Sequence, residues 1–341
     1  MRIRYNKQIN KPHKTQTPTR YAGNVRFWAY PVLITTKNTL TPRSNSQLNH
    51  LSLAPCIVAS TQHEGGTIAT KTYVEAPKGS IPDGIKDIKA GLGRRAIWWG
   101  LSWQSIKSRY RRTYLGPWWI TVQQVIFVAG LSLLFGILLN QDLKTFVPYV
   151  AVGFIAFSWM TGMIGGGVTS ITGNGAALKT APGPLSIYSL SNFAGNTIQF
   201  AHDSVVIVVV LIIFQVSITW SILLVPVALA LIAINGIAIG LWLGPLVARY
   251  RDVGQIVNSI VRVLFFFTPI FWVTTDVSNA QLAWLAGWNP IAYFLDFLRA
   301  PLLGQTPTTA VIIGSFVFTA ANVLIALIHF SRTRDRLAYW L

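Results

Sequence analysis

Residues 220–246 read WSILLVPVALALIAINGIAIGLWLGPL, a run without one charged side chain. About 20 consecutive apolar residues suffice for a helix to cross roughly 30 Å of hydrocarbon. This stretch therefore decides the fold class: it is a membrane-spanning helix, too long and too uniformly apolar for a soluble core. Directly after it comes the basic cluster ARYRD, Ala248 to Asp252.

Working outward, five similar segments appear. Pro117 opens a run over 118–139, and the short polar turn NQDLK separates it from 146–164. Residues 200–216 form another, 256–273 a further one interrupted by Arg262, and 309–330 the last. With 220–246 the sequence predicts six spans and an all-α membrane protein. The composition agrees: 52% of the 341 residues are hydrophobic, only 11% are charged, and mean hydropathy is +0.47. A soluble domain carries about 25% charged residues.

The net charge is +18. About two-thirds of the Lys and Arg precede Pro117, and the rest sit between or just after the apolar runs. That distribution anchors a cytoplasmic membrane face and argues against nucleic-acid binding. The N-terminal region, ARYRD and the tail SRTRDR (Ser331 to Arg336) are basic, whereas the stretches near Gln141 and Ser217 carry little net charge. Six spans with both ends basic predict both termini in the cytoplasm.

Residues 1–85 are polar, rich in Lys, Thr, Asn, Ser, Pro and Gly, and lack helical or strand periodicity. They read as a disordered extension, or as sequence ahead of a true start nearer Asp83. Residues 86–341 form the six-span domain. Its first element is RRAIWWGLSWQSIKSRYRR (Arg94 to Arg112), in which Trp99, Trp103, Ile106 and Tyr110 share one helical stripe and Lys107, Arg109, Arg111 and Arg112 point away. Tryptophans with basic groups suit an amphipathic helix in the headgroup layer; a solvated basic linker is the alternative.

Two connections are too long to be simple loops. Thr169 to Gln199 is expected on the cytoplasmic side, with helical pieces broken by Pro182 and Pro184. Thr274 to Thr308 is expected outside. Its two apolar pieces of about ten residues, hinged at Asn289-Pro290, are too short to span and read as a re-entrant helical hairpin or a surface hairpin.

The missing motifs narrow the function. The sequence has no Gly-Lys pair, hence no phosphate-cradling P-loop, and no D-x-D, H-E-x-x-H or G-x-S-x-G. Its one cysteine, Cys56, allows no internal disulfide, and the five histidines are scattered, so no metal site is expected. Intramembrane polar residues are few: His202 and Asp203 at the start of the third span, and Arg262 in the fifth. Arg262 could pair with Asp203, snorkel to the headgroups or meet a substrate. A transport protein of this build needs an external energy source, received through Thr169 to Gln199 and the interfacial helix; the coupling candidates are Asn174, Leu178, Lys179 and Pro182.

KSRYRRTYLGPWW (Lys107 to Trp119) resembles the stretch before the first span of type-2 ABC exporter permeases, above all those exporting O-antigen, capsule and teichoic acid polymers. ARYRDVGQIV (Ala248 to Val257) with TPIFW (Thr268 to Trp272), WNP (Trp288 to Pro290) with FLR (Phe297 to Arg299), and the ending RLAYWL (Arg336 to Leu341) are similar to later segments of that family. The resemblance covers about 86–341; residues 1–85 lie outside it.

The resemblance implies a homodimer in the bacterial inner membrane, joined to a separate ATPase subunit that holds ATP and Mg, with no cofactor and no catalytic residue in this chain. It implies a lipid-linked glycan as substrate. Arg109, Arg111 and Arg112 could then recruit its diphosphate bidentately, or only anchor the cytoplasmic face. Phe157, Trp159, Phe265, Phe266 and Trp272 could line the sugar path, or face lipid. An exporter of drugs or small lipids is the alternative, and a membrane-embedded glycosyl- or acyltransferase a more distant one.

Overall fold

The structure, a computed structural model, describes residues 79–111, 118–180, 183–272 and 287–340, with Thr113, Tyr114 and Gly116. These residues belong to one unit, Val74–Leu341. Residues 1–78, for which disorder is expected, lie outside the described residues, as does most of the first half of the expected outer hairpin. The expected boundary at residue 85 falls inside the first helix.

Regular structure among the described residues is entirely helical: α1 (Ile81–Gly93), α2 (Arg95–Arg109), α3 (Trp118–Leu138), α4 (Leu143–Thr169), α5 (Gly175–Thr180), α6 (Ser186–Ile213), α7 (Val225–Arg249), α8 (Arg251–Phe267), α9 (Pro290–Leu302), α10 (Thr309–Thr333) and α11 (Leu337–Trp340). Local chemistry sets several boundaries. Asp142 caps α4 by accepting from the Lys144 N–H, and Asn289 caps α9 by accepting from Ile291. Pro290, with no N–H to lose, opens α9 at its first position.

Among the described residues, five helices are long and apolar enough to cross a membrane: α3, α4, α6, the stretch Trp220–Arg249 containing α7, and Thr309–Arg336 containing α10. The expected fifth span, 256–273, corresponds to α8. Its 17 residues rise only about 25 Å, short of a roughly 30 Å hydrocarbon core. The expected third span began at 200, but α6 starts at Ser186, so half of the long connection Thr169 to Gln199 is the first part of a membrane helix.

Helix α4 occupies the centre. Phe157, Met163, Ile232, Leu295, Phe297 and Leu298 bury against one another where α4, α7 and α9 meet. Gly167 of α4 lies against Gly240 of α7, and Gly236 against Met163, the small-residue packing that lets helices approach where lipid gives no hydrophobic driving force. Between α7 and α10, Asn235 donates to Thr319 (2.7 Å) and Asn322 to Asn235 (2.9 Å), while the Trp242 indole reaches Asn322 (3.0 Å). Such interhelical bonds contribute on average about 0.6 kcal/mol each in a bilayer. The outward faces remain apolar, with Ile126, Leu134 and Ile137 on α3 and Ile212 and Ile213 on α6 all exposed.

The ends of the bundle differ. One gathers α1, the last turns of α7 and α10, and the C-terminal tail. There the Arg334 guanidinium donates to the Asp83 carbonyl, and Arg249 stacks on Tyr250 and Trp340. Ser80 donates to Asp83 (2.6 Å), which holds that carboxyl below its usual range. At the opposite end α3 and α6 finish alike. Asn140 (φ 49°) and Gln215 (φ 50°) are left-handed, and the next residue returns a 6→1 hydrogen bond, Gln141 to Gly136 and Val216 to Leu211. Glycine is the inexpensive residue at such a position; a side chain there costs about 1–2 kcal/mol.

Candidate functional site

A cavity of about 560 Å³ lies under α2 and is walled by α4 and α6. It is placed by an unexpected contact. The sequence stripe Trp99–Trp103–Ile106–Tyr110 predicts one common face, but Trp99 and Trp103 are exposed while Ile106 and Tyr110 are half-buried. The residue that seats α2 is Ser102, 1% exposed, whose hydroxyl lies 2.8 Å from the Ser191 carbonyl on α6. A small polar residue allows close approach there; the bulky indoles are turned outward.

Arg109, Tyr110, Asn192, Asn196, Gln199 and His202 supply the polar lining, and the glycines of α4 supply the floor. The run Gly165–Gly167 does three different things. Gly167 packs on α7, a methyl group on Gly166 would run into the Asn192 side chain, and Gly165 faces open space in the cavity. Asn192 is held by its own bond to the Met163 carbonyl (3.1 Å) and receives one from Asn196 (2.8 Å). His202 sits on the rim, with Nδ1 2.8 Å from the Ile198 carbonyl and its ring edge-on to Trp118.

Of the three arginines singled out in the sequence, Arg109 lines this cavity and Arg111 is exposed outside its lining; Arg112 lies outside the described residues. The coupling candidates fall at one edge. Asn174 joins the cavity wall and donates to the Ser170 carbonyl (2.8 Å), and Leu178 packs in the cluster of Ile171, Ala248 and Leu337. Lys179 is in α5, and Pro182 lies outside the described residues.

Of the three roles open to Arg262, the pair with Asp203 is not formed. Asp203, 3% exposed, accepts from Gln124 of α3 (3.2 Å), and Arg262 is exposed on α8. The reason is the neighbour: α6 packs on α3 at Asp203, and an amide donor there satisfies one carboxylate oxygen without a second charge.

Four of the five aromatic candidates come together. Phe265 of α8 lies edge-on to Phe157 (5.7 Å between centroids) and Phe266 (5.4 Å), and the Trp272 indole donates to the Phe266 carbonyl (3.3 Å). Phe127 and Phe154 extend the group. Phe266 is 65% exposed, so the cluster opens outward. Trp159 is elsewhere, stacked on Phe200 at 4.2 Å.

Sequence reasoning overlooked Asp87. Its carboxylate, on α1, accepts from Leu185 N (3.2 Å), Ser186 N (3.0 Å) and the Ser186 hydroxyl (2.8 Å), capping α6 from another helix. The only sequence hint is Gly84-x-x-Asp87-x-x-x-Gly91, whose glycines rest on Ser331 and Ser186.

Residues 97–303 match the ABC-2 type transporter family. The chain belongs to that family. A relative, the O-antigen export system permease protein RfbA of Myxococcus xanthus, is 23% identical over 198 residues, covering 58% of this chain and 76% of that protein. The chain is thus a type-2 ABC permease, a multi-pass membrane subunit of a transporter whose family works with an ATPase subunit.

Proposed function

We propose that this ABC-2 permease exports a lipid-linked polysaccharide across the bacterial inner membrane, as a homodimer driven by a separate ATPase. The observation that carries the reading is the Arg109-lined cavity beneath a helix bearing outward tryptophans. A headgroup-level helix gives a lipid carrier its approach, and an arginine with amide and hydroxyl neighbours suits its diphosphate. The aromatic group around Phe265 offers faces on which sugars slide while their hydroxyls stay hydrated. The relative's name supports the same substrate class.

Six crossings fit this reading. At one end of α8, Gly254 lies against Val168 near the end of α4; beyond the other, Tyr149 near the start of α4 donates to the Pro269 and Trp272 carbonyls. The segment 251–272 therefore runs the length of α4. The Arg334–Asp83 contact, with the tail beside α1, supports an even number of crossings, and the basic charge at that end favours the cytoplasm. Asp252, Gln255, Ser259 and Arg262 form an exposed polar stripe on α8, unsuited to lipid and suited to a hydrated path between two copies. The described half of the outer hairpin is α9.

The apolar cavity of about 350 Å³ among Met160, Met163, Ile232, Trp242, Phe294 and Phe318 favours a second reading, export of a drug or small lipid. Deleting the gene decides between them. Accumulation of lipid-linked glycan on the cytoplasmic leaflet is expected; normal surface glycan with drug hypersensitivity contradicts the first reading and supports the second.

A further inference from the structure

A second cavity, about 370 Å³ and lined by both polar and apolar side chains, lies at the end of the bundle opposite α1 and the tail. That size is at the lower end of small-molecule sites, about 300–1,000 Å³. Three separate connections build it. Gln141 comes from the α3–α4 turn and Lys144 from the first turn of α4, Gln215 and Ser217 from the turn after α6, and Gln305 from the turn after α9. Tyr149 closes the inner side.

The backbone is arranged to hold these turns together. Gly304 (φ 74°) sits so tightly on the Ser217 carbonyl that a side chain would not fit, and Thr219 donates to the Gly304 carbonyl (3.0 Å). Gln305 is thereby brought beside Gln215. Gln215 is itself left-handed, where glycine would be the unstrained residue. The strained position keeps a side chain, and that side chain lines the cavity.

Tyr149 links this cavity to the aromatic group. Its ring carries the Arg299 guanidinium 3.8 Å from the centroid, and its hydroxyl holds the Pro269 and Trp272 carbonyls. Arg299 is 97% buried (3% exposed), with Nε and Nη2 unpartnered, and packs on Gly153. Tyr149 is thus clamped on both sides, a rigid aromatic wall between the Phe266–Trp272 end of the path and the cavity.

The chemistry of the lining is specific. An amide presents an acceptor and two donors together, matching vicinal hydroxyls, and three glutamines with Lys144, Thr145 and Ser217, set beside the rings of Phe146, Tyr149 and Phe214, match the hydroxyls and C–H faces of a sugar better than a lipid tail or a metal ion. We infer that this cavity is an exit subsite that binds a sugar residue of the emerging polymer. The inference rests on the polysaccharide reading above and extends it to a site beyond the membrane path.

Two measurements test it in cells making their own polymer. A photoreactive benzophenone side chain is placed in the full chain at Gln305, at Phe266 and at lipid-facing Ile212, and adducts are tagged by periodate oxidation of sugar diols. Glycan adducts at 305 and 266 and none at 212 are expected. An adduct at 266 without one at 305 overturns the exit subsite and leaves the polysaccharide reading standing; no adduct at either position removes both. Separately, Gln215→Gly relieves the backbone while deleting the amide. An unfolding temperature equal to or above the parent's with export reduced about threefold is expected, and undiminished export by Gln215→Gly overturns the subsite.

Discussion

Asp87 on α1 accepts the backbone N–H of Ser186, 3.0 Å away, and so caps a membrane helix that begins nearly a hundred residues later. This contact fixes α1 and α2 to the wall of the cavity, because α2 follows α1 directly and α6 carries Asn192, Asn196 and His202. Replacing Asp87 by Ala removes a cap and leaves the first N–H groups of α6 unpaired. Loss of about 1–2 kcal/mol is expected, read as a lower unfolding temperature of the purified chain, with Asp87→Asn retaining most of it. Equal stability of Asp87→Ala and the parent contradicts the capping role.

Gly165 and Gly166 are neighbours with opposite surroundings. Gly166→Ala drives a methyl into Asn192 and breaks its hold on Met163, so about 1–3 kcal/mol of destabilisation is expected. Gly165→Leu points into the cavity, so folding stays near normal in a thermal melt while export falls at least tenfold. A stable, fully exporting Gly165→Leu chain removes the cavity from the mechanism.

Arg109 lines the cavity and Arg111 does not. Arg109→Ala is expected to lower polymer export about tenfold, equivalent to about 1.4 kcal/mol, and Arg109→Lys to recover part of it, because ammonium cannot form the bidentate contact. Arg111→Ala is expected to change export less than twofold. The check is surface polymer measured at matched protein levels; equal losses from both arginines point to general anchoring instead.

For Asp203 the partner is Gln124, not Arg262. A double-mutant cycle with Gln124→Leu and Asp203→Asn is expected to give a coupling of about 0.5–3 kcal/mol in unfolding free energy, while Arg262→Gln with Asp203→Asn is additive within about 0.5 kcal/mol. Coupling confined to the Arg262 pair contradicts the arrangement of α3 and α6.

What was legible in the sequence follows from what a one-dimensional pattern carries. Runs such as 220–246 announce themselves, since an uncharged stretch of that length has no other solvent than lipid. The sequence shortens α6 because Asn192, Asn196 and Gln199 interrupt its apolar character, and these residues face the cavity. For α8 the sequence shows a span interrupted by Arg262 alone, whereas the helix starts at Arg251 and Gln255 and Ser259 join Arg262 on an exposed polar side. Arg109 and the Phe265 group stand out in the sequence because charge and aromatic rings are conspicuous in apolar surroundings. Asp87, Ser102 and the exit cavity were not, because each depends on residues brought together from distant parts of the chain.

The central claim is that this chain moves a lipid-linked glycan only together with its ATPase subunit. Its most direct test is reconstitution of both subunits in vesicles loaded with the producing cell's lipid-linked glycan, measuring glycan that becomes accessible to a membrane-impermeant lectin on the far side. ATP-dependent appearance that needs both subunits is predicted; appearance without ATP, or with the ATPase subunit alone, contradicts the account.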